Sequence, residues 1–154
     1  MKKTYYAILF LVINFGGLAL GGWFMDGGPT SEWYSNLNKA PWTPPGWVFG
    51  AAWTFIMICF SWYLAELFAN RASKFLWWLY ALQVVLNVSW NWIFFNQHQV
   101  TYALLAIALL TLVIFYYFIT FRNDRLKYAK YLLLPYLIWL CIATSLNGYV
   151  VFNN

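Results

Sequence analysis

Charge is scarce in this chain. Of its 154 residues 8% are charged, and only four are acidic. A soluble domain carries about 25% charged residues, so this sequence cannot cover a globular surface that faces water. Sixty-four per cent of the residues are hydrophobic, and an integral membrane protein is the class that fits. The net charge of +5 then bears on membrane orientation, and no basic cluster with base-reading chemistry points to nucleic acid. The two cysteines, Cys59 and Cys141, both lie inside apolar runs. They are expected to be small buried hydrophobes, not a disulfide or a metal site. The single histidine, His98, falls in a short loop. There is no Cys/His cluster for zinc and no nucleophile–base–acid set. No Asp, Glu, Lys, Arg or His falls in the middle of an apolar run, which argues against proton-coupled pumps and ion channels.

What is present is a series of long apolar runs. A span needs about 20 mostly apolar residues, and five segments qualify: 5–25, 47–68, 75–96, 100–121 and 130–152. The first continues past the length of a signal-peptide core and is expected to be retained. The sequence thus predicts one domain, 1–154, an all-α five-transmembrane-helix bundle with a long structured first loop at 26–46. Three tight connections predict that successive helices pack as antiparallel neighbours. An odd number of spans does not suit an inverted-repeat transporter. Lys2, Lys3, Arg71, Lys74, Arg122, Arg125, Lys127 and Lys130 fall on one side of this arrangement, and Lys39 alone on the other. By the positive-inside rule the N-terminus lies inside, and the loop and C-terminus outside, in a multi-pass protein of the cell membrane.

The stretch "NKAPWTPPGWVFGAAWTF", residues 38–55, crowds tryptophan and proline at the entry to the second run. Pro44 and Pro45 suit a helix start, where a missing N–H costs little. Upstream, Thr30 or Ser31 can cap a short helix with Trp33, Tyr34 and Leu37 on one face and Glu32, Asn36 and Lys39 on the other. That segment reads equally as a cover over the bundle or as an ordinary interfacial loop. In the third run Gln83, Asn87 and Asn91 recur every four residues, with Trp90 and Phe94 on the same stripe. The amides should face the bundle interior, either to meet a ligand's polar edge or to bond helix to helix. Trp53 is too deep for an interface ring. Trp139, one turn before Ala143, suits either a slot for a planar molecule or plain core packing. Trp23, Trp47, Trp77 and Trp78 sit near span ends, as belt anchors do. Gly17 and Gly21 permit close helix approach, within the bundle or between protomers.

The segments "WYSNLNKAPWTPPGWVFGAAW" (33–53), "LNVSWNWIFF" (86–95) and "PYLIWLCIATSLNGYV" (135–150) resemble the TspO/MBR family, the tryptophan-rich sensory proteins related to the mitochondrial translocator protein. The resemblance runs through essentially the whole chain. It implies a five-helix bundle, often a homodimer, whose pocket under the first loop binds porphyrins and benzodiazepine- or isoquinoline-type ligands. The implied ligand contacts are Tyr34, Trp42, Trp53, Asn87, Trp90, Phe94, Trp139, Ala143 and Leu146. Trp53 and Trp139 are the pair expected to support light- and oxygen-dependent degradation of protoporphyrin IX. The implied tetrapyrrole is ligand or substrate, with no covalently bound cofactor and no metal. A carrier or stress-related sensor without catalysis is the alternative. Two departures matter. A tyrosine frequent in the family after the deep tryptophan is absent from "WTFIM". Tyr149 is followed by "VVFNN" without a basic residue, so cholesterol is not expected as a partner.

Overall fold

The computed structural model describes residues 2–121 and 126–154; Arg122 and Arg125, counted above in the charge asymmetry, lie outside the described residues. Among the described residues there are six α-helices: α1 (Lys2–Trp23), the short α2 (Glu32–Asn36), α3 (Gly46–Arg71), α4 (Lys74–Asn91), α5 (Val100–Thr120) and α6 (Leu134–Asn153). A π-helical turn, Trp92–Asn96, continues α4, and a 3-10 turn, Ala129–Leu133, leads into α6. Among the described residues four segments are long and apolar enough to cross a membrane: Lys2–Thr30, Gly46–Arg71, Val100–Thr120 and Ala129–Asn153. The five spans expected from sequence therefore reduce to four by this measure. The helix left out, α4, carries Gln83, Asn87 and Asn91, whose amides lower its hydropathy. Gln83 and Asn87 are nevertheless buried in the bundle.

The five long helices close into a ring, in which α1 packs on α3, α3 on α6, α6 on α5, α5 on α4 and α4 on α1. One expectation fails here. Only two residues join α3 to α4, yet each of the two packs more extensively on α1. A short link constrains only the helix ends, and glycines on α1 decide the rest. A β-carbon on Gly17 would meet Val88 Cγ2 at 3.6 Å, and one on Gly21 would come 2.7 Å from Asn91 Nδ2. The small-residue face of α1 is thus spent inside the bundle.

Helical periodicity explains what is buried. On α5, Ala103, Ala106, Ile107, Leu110, Ile114 and Tyr117 form the inward stripe, while Leu105, Leu109 and Leu112 point outward. The outward face is as apolar as the inward one, as a lipid-facing surface requires. Cys59 is buried, but Cys141 lies exposed on the outer face of α6, which corrects the expectation that both cysteines are interior. A sulfhydryl is apolar enough to face lipid as well as core. Buried polar pairs join the helices. Asn14 Nδ2 donates to Ser61 Oγ at 2.8 Å, and the Tyr80 hydroxyl donates to Asn14 Oδ1 at 2.8 Å, linking α1, α3 and α4. Such bonds contribute about 0.6 kcal/mol each on average in membrane bundles, so they fix register more than they add stability. Lys3 and Glu66 form an ion pair between α1 and α3.

Candidate ligand-binding site

The connection from α1 to α3 folds over one end of the ring. It leaves α1 through Asp26, Gly27 and Gly28, which take φ values of 47°, 85° and 50°; three successive left-handed residues reverse the chain, and two of the three are glycine, where this costs least. Ser31 then caps α2, its Oγ accepting from the Tyr34 amide at 3.2 Å. Of the two caps the sequence offered, Ser31 is the one used. Trp33, Tyr34 and Leu37 turn inward and pack on a cluster of Phe94, Phe95, Ala103 and Val150. His98 is exposed in the loop before α5 and stacks on Trp33 with ring centroids 4.1 Å apart.

The other end of the segment is tied to α6. The Asn38 amide donates to Asn154 Oδ1 at 2.8 Å, and Asn154 Nδ2 donates back to the Asn38 carbonyl at 3.2 Å. Trp42 Nε1 donates to Ser145 Oγ at 3.2 Å, and its ring meets Tyr149 edge-on. Pro45 precedes the first turn of α3.

Beneath this cover is a cavity of about 370 Å³, within the range of small-molecule sites. Six of the nine expected ligand contacts line it: Tyr34, Trp53, Trp90, Phe94, Ala143 and Leu146. Trp42, Asn87 and Trp139 do not. Trp42 is 56% exposed on the outer side of the cover. Asn87 lies one layer deeper, where its Oδ1 accepts from the Tyr136 hydroxyl at 3.3 Å; Gln83 Nε2 donates to the same hydroxyl at 2.9 Å. Trp139 is buried, edge-on to Phe49 at 5.3 Å, and its Nε1 has no hydrogen-bond partner among the described residues. Phe49 itself lines the cavity.

The aromatic walls are held in place. Trp53 meets Tyr136 edge-on at 5.7 Å. Trp90 stacks on Phe94 at 5.3 Å and donates from Nε1 to Asn147 Oδ1 at 3.1 Å; Asn147 Nδ2 donates to the Val100 carbonyl at 2.9 Å. With both ends of its amide engaged, Asn147 orients Trp90 and has little left for a ligand. The π turn that follows α4 places Phe94 and Phe95 next to each other in the wall.

The polar lining is sparse, and Lys39 is its only charged group among the described residues. Lys39 Nζ donates to the Tyr34 and Ser35 carbonyls at 2.9 and 3.1 Å and sits 4.9 Å from the centre of the Tyr34 ring. An ammonium has three donors, so one remains for the cavity. Burial raises the Tyr34 phenol above its ordinary value. Sequence reasoning set Lys39 on the outer polar face of α2 and missed it, along with Phe49, Phe95 and Asn147. Nothing in helical periodicity finds Lys39, because it lies beyond the end of α2, where the chain turns back.

Comparison with known proteins places these features in context. Residues 7–152 match the model of the TspO/MBR family. The chain is 36% identical over 126 residues to the tryptophan-rich sensory protein of Cereibacter sphaeroides, covering 75% of this chain and 73% of that one. It is 33% identical over 149 residues to the human translocator protein, covering 90% and 83%. It is 31% identical over 152 residues to protein CrtK of Rhodobacter capsulatus, covering 96% and 91%.

Proposed function

The chain belongs to the TspO/MBR family, and on that premise we propose that it binds a planar tetrapyrrole in the cavity beneath the cover and promotes its light-dependent oxidation. The observation that carries this reading is the cavity's lining: aromatic walls from Trp53, Trp90 and Phe94, with Lys39 the single cation among the described residues. Protoporphyrin IX is flat, largely apolar and edged with propionates. Ring burial would supply the affinity, and Lys39 with the Asn91 amide would set the orientation. Benzodiazepine- and isoquinoline-type ligands fit the same apolar walls. In the membrane α4 acts as the fifth span, with its amides inward, and the end carrying Lys2, Lys3, Arg71 and Lys74 faces inside. Because Gly17 and Gly21 are used against α4, any homodimer forms through another face.

Chemically, light and dioxygen supply the driving force, so no polar catalytic set is required. The excited macrocycle takes one electron from the Trp53 indole and passes it to dioxygen, giving superoxide. The macrocycle then returns one electron to the indole radical and combines with superoxide. The net change is addition of dioxygen to the porphyrin, with Trp53 restored. Trp139, reached through Phe49, serves as a second donor.

The test is an absorption and tryptophan-fluorescence titration with protoporphyrin IX, dark and illuminated, on wild type and Trp53→Phe/Trp139→Phe. Saturable binding with a new absorbing product in light, slowed in the variant, supports the proposal. Binding with the same photochemistry in both proteins defeats the oxidative role and favours the carrier or sensor reading, for which porphyrin flux across vesicles is the assay.

A further inference from the structure

At the end of the bundle opposite the cover, a second cavity of about 550 Å³ opens between the start of α1 and the end of α3. Its chemistry differs from that of the first. Lys2 and Arg71 supply two cations, Tyr5 and Tyr6 two phenols, and Phe68 an apolar floor. Neither cation is neutralised by a carboxylate among the described residues. Glu66 is the one described acid at this end, and it pairs with Lys3; Asp26 and Glu32 lie at the far end, in the cover. The Arg71 guanidinium lies 5.9 Å from the centre of the Phe121 ring. The Lys3–Glu66 pair links α1 to α3 beside the groove, so the helices that carry Lys2 and Arg71 are braced against each other.

The groove continues into a lipid-facing strip. Tyr5, Ile8 and Val12 follow one another along the exposed face of α1, with Ile8 59% and Val12 66% exposed. A ligand seated here therefore meets cations and phenols at its head and apolar side chains along its length. We propose that this groove holds one anionic phospholipid, its phosphate between Lys2 and Arg71 and an acyl chain along Ile8 and Val12. Basic recesses between helices at a membrane surface recognise such headgroups, and Arg adds a fork that matches phosphate oxygens. A zwitterionic lipid would bring its own cation close to these two and bind less well. The site is separate from the tetrapyrrole cavity and stands whether or not that reading holds.

The experiment is native mass spectrometry of the intact protein from micelles containing equal phosphatidylglycerol and phosphatidylcholine. One phosphatidylglycerol should be retained in preference to phosphatidylcholine. Lys2→Gln/Arg71→Gln should lower that retention by roughly tenfold or more, the size expected for two cations at a membrane surface. Lys74→Gln/Lys130→Gln, at the same end but outside the groove, should leave it unchanged, and the charge-preserving Lys2→Arg/Arg71→Lys should keep it. Should the double glutamine variant fail to fold, the exposed Lys2→Gln alone, measured with rising salt, reads the same loss. Equal retention of the two lipids, or indifference to the groove variants, overturns the proposal. Displacement of the lipid by millimolar inorganic phosphate would also overturn it, since the site would then read phosphate alone.

Discussion

Asn38 and Asn154 hold each other by a reciprocal pair: the Asn38 amide donates to Asn154 Oδ1 at 2.8 Å, and Asn154 Nδ2 returns a bond to the Asn38 carbonyl at 3.2 Å. The residues are 116 positions apart, so this pair ties the cover to the last turn of α6. Each such bond contributes about 0.5–1.5 kcal/mol net. Asn154→Ala removes both. The expected result is faster ligand release, by roughly fivefold or more, with the thermal midpoint of the bundle little changed. Stopped-flow release of bound protoporphyrin IX reads it. An unchanged release rate would mean that the inward ring face of α2 holds the cover without help.

A different constraint operates where α1 meets α4. The β-carbon of an alanine at position 21 would lie 2.7 Å from Asn91 Nδ2 and 3.4 Å from its Cγ. The clash is with a side-chain end, so Asn91 can turn away, but it then gives up its 3.2 Å bond to the Asn87 carbonyl and shifts where it lines the cavity. Overpacking costs about 1–3 kcal/mol, against about 1 kcal/mol gained in helix propensity. Gly21→Ala should therefore lower the unfolding midpoint modestly and weaken ligand binding. Gly17→Ala, with an ordinary 3.6 Å contact, should do neither. Adding Asn91→Ala should recover the stability of Gly21→Ala, which a double-mutant cycle would measure.

These two contacts show what the sequence can and cannot reveal. Spacing alone indicated that Gly17 and Gly21 allow close approach, and that the amide stripe of α4 faces inward, because both follow from helical period. Which helix the glycines meet was open, since a small-residue face fits any partner. Trp90 and Phe94 were legible from the same period, Trp53 from its depth in the second run, and Ala143 from its place one turn after Trp139. Trp42 and Lys39 were not, because both belong to the irregular cover, where side-chain direction depends on turns that no period encodes. The π turn after α4 also escaped notice; within it Phe95 joins Phe94 in the cavity wall.

Lys39 offers a test of ligand class. Its ammonium is anchored by two carbonyls and is the one charge lining the cavity among the described residues. A propionate would gain a charge-assisted bond from it, whereas an esterified porphyrin would not. Lys39→Gln should weaken protoporphyrin IX by about tenfold, in keeping with about 1.5–3 kcal/mol for bonds to charged groups reduced by partial solvent access. The dimethyl ester of the same porphyrin should bind both proteins alike. Equal losses for acid and ester would assign Lys39 a role in shaping the cover, not in reading charge.

The pH dependence of closure turns on Tyr34. Burial raises its phenol above the ordinary 10.0, so the docked cover holds the proton more tightly than the undocked one. An acid whose value rises on docking lends its full contribution below its free value and loses it as pH climbs past that point. Closure should thus be insensitive to this group up to about pH 10 and weaken above it. Ligand release followed between about pH 8 and pH 11 should accelerate at the upper end in wild type. Tyr34→Phe keeps the ring against Phe95 but has no proton to lose, and its release should lack that extra acceleration. If both proteins accelerate equally, the change comes from elsewhere in the cover, and Tyr34 is not the group whose ionisation opens it.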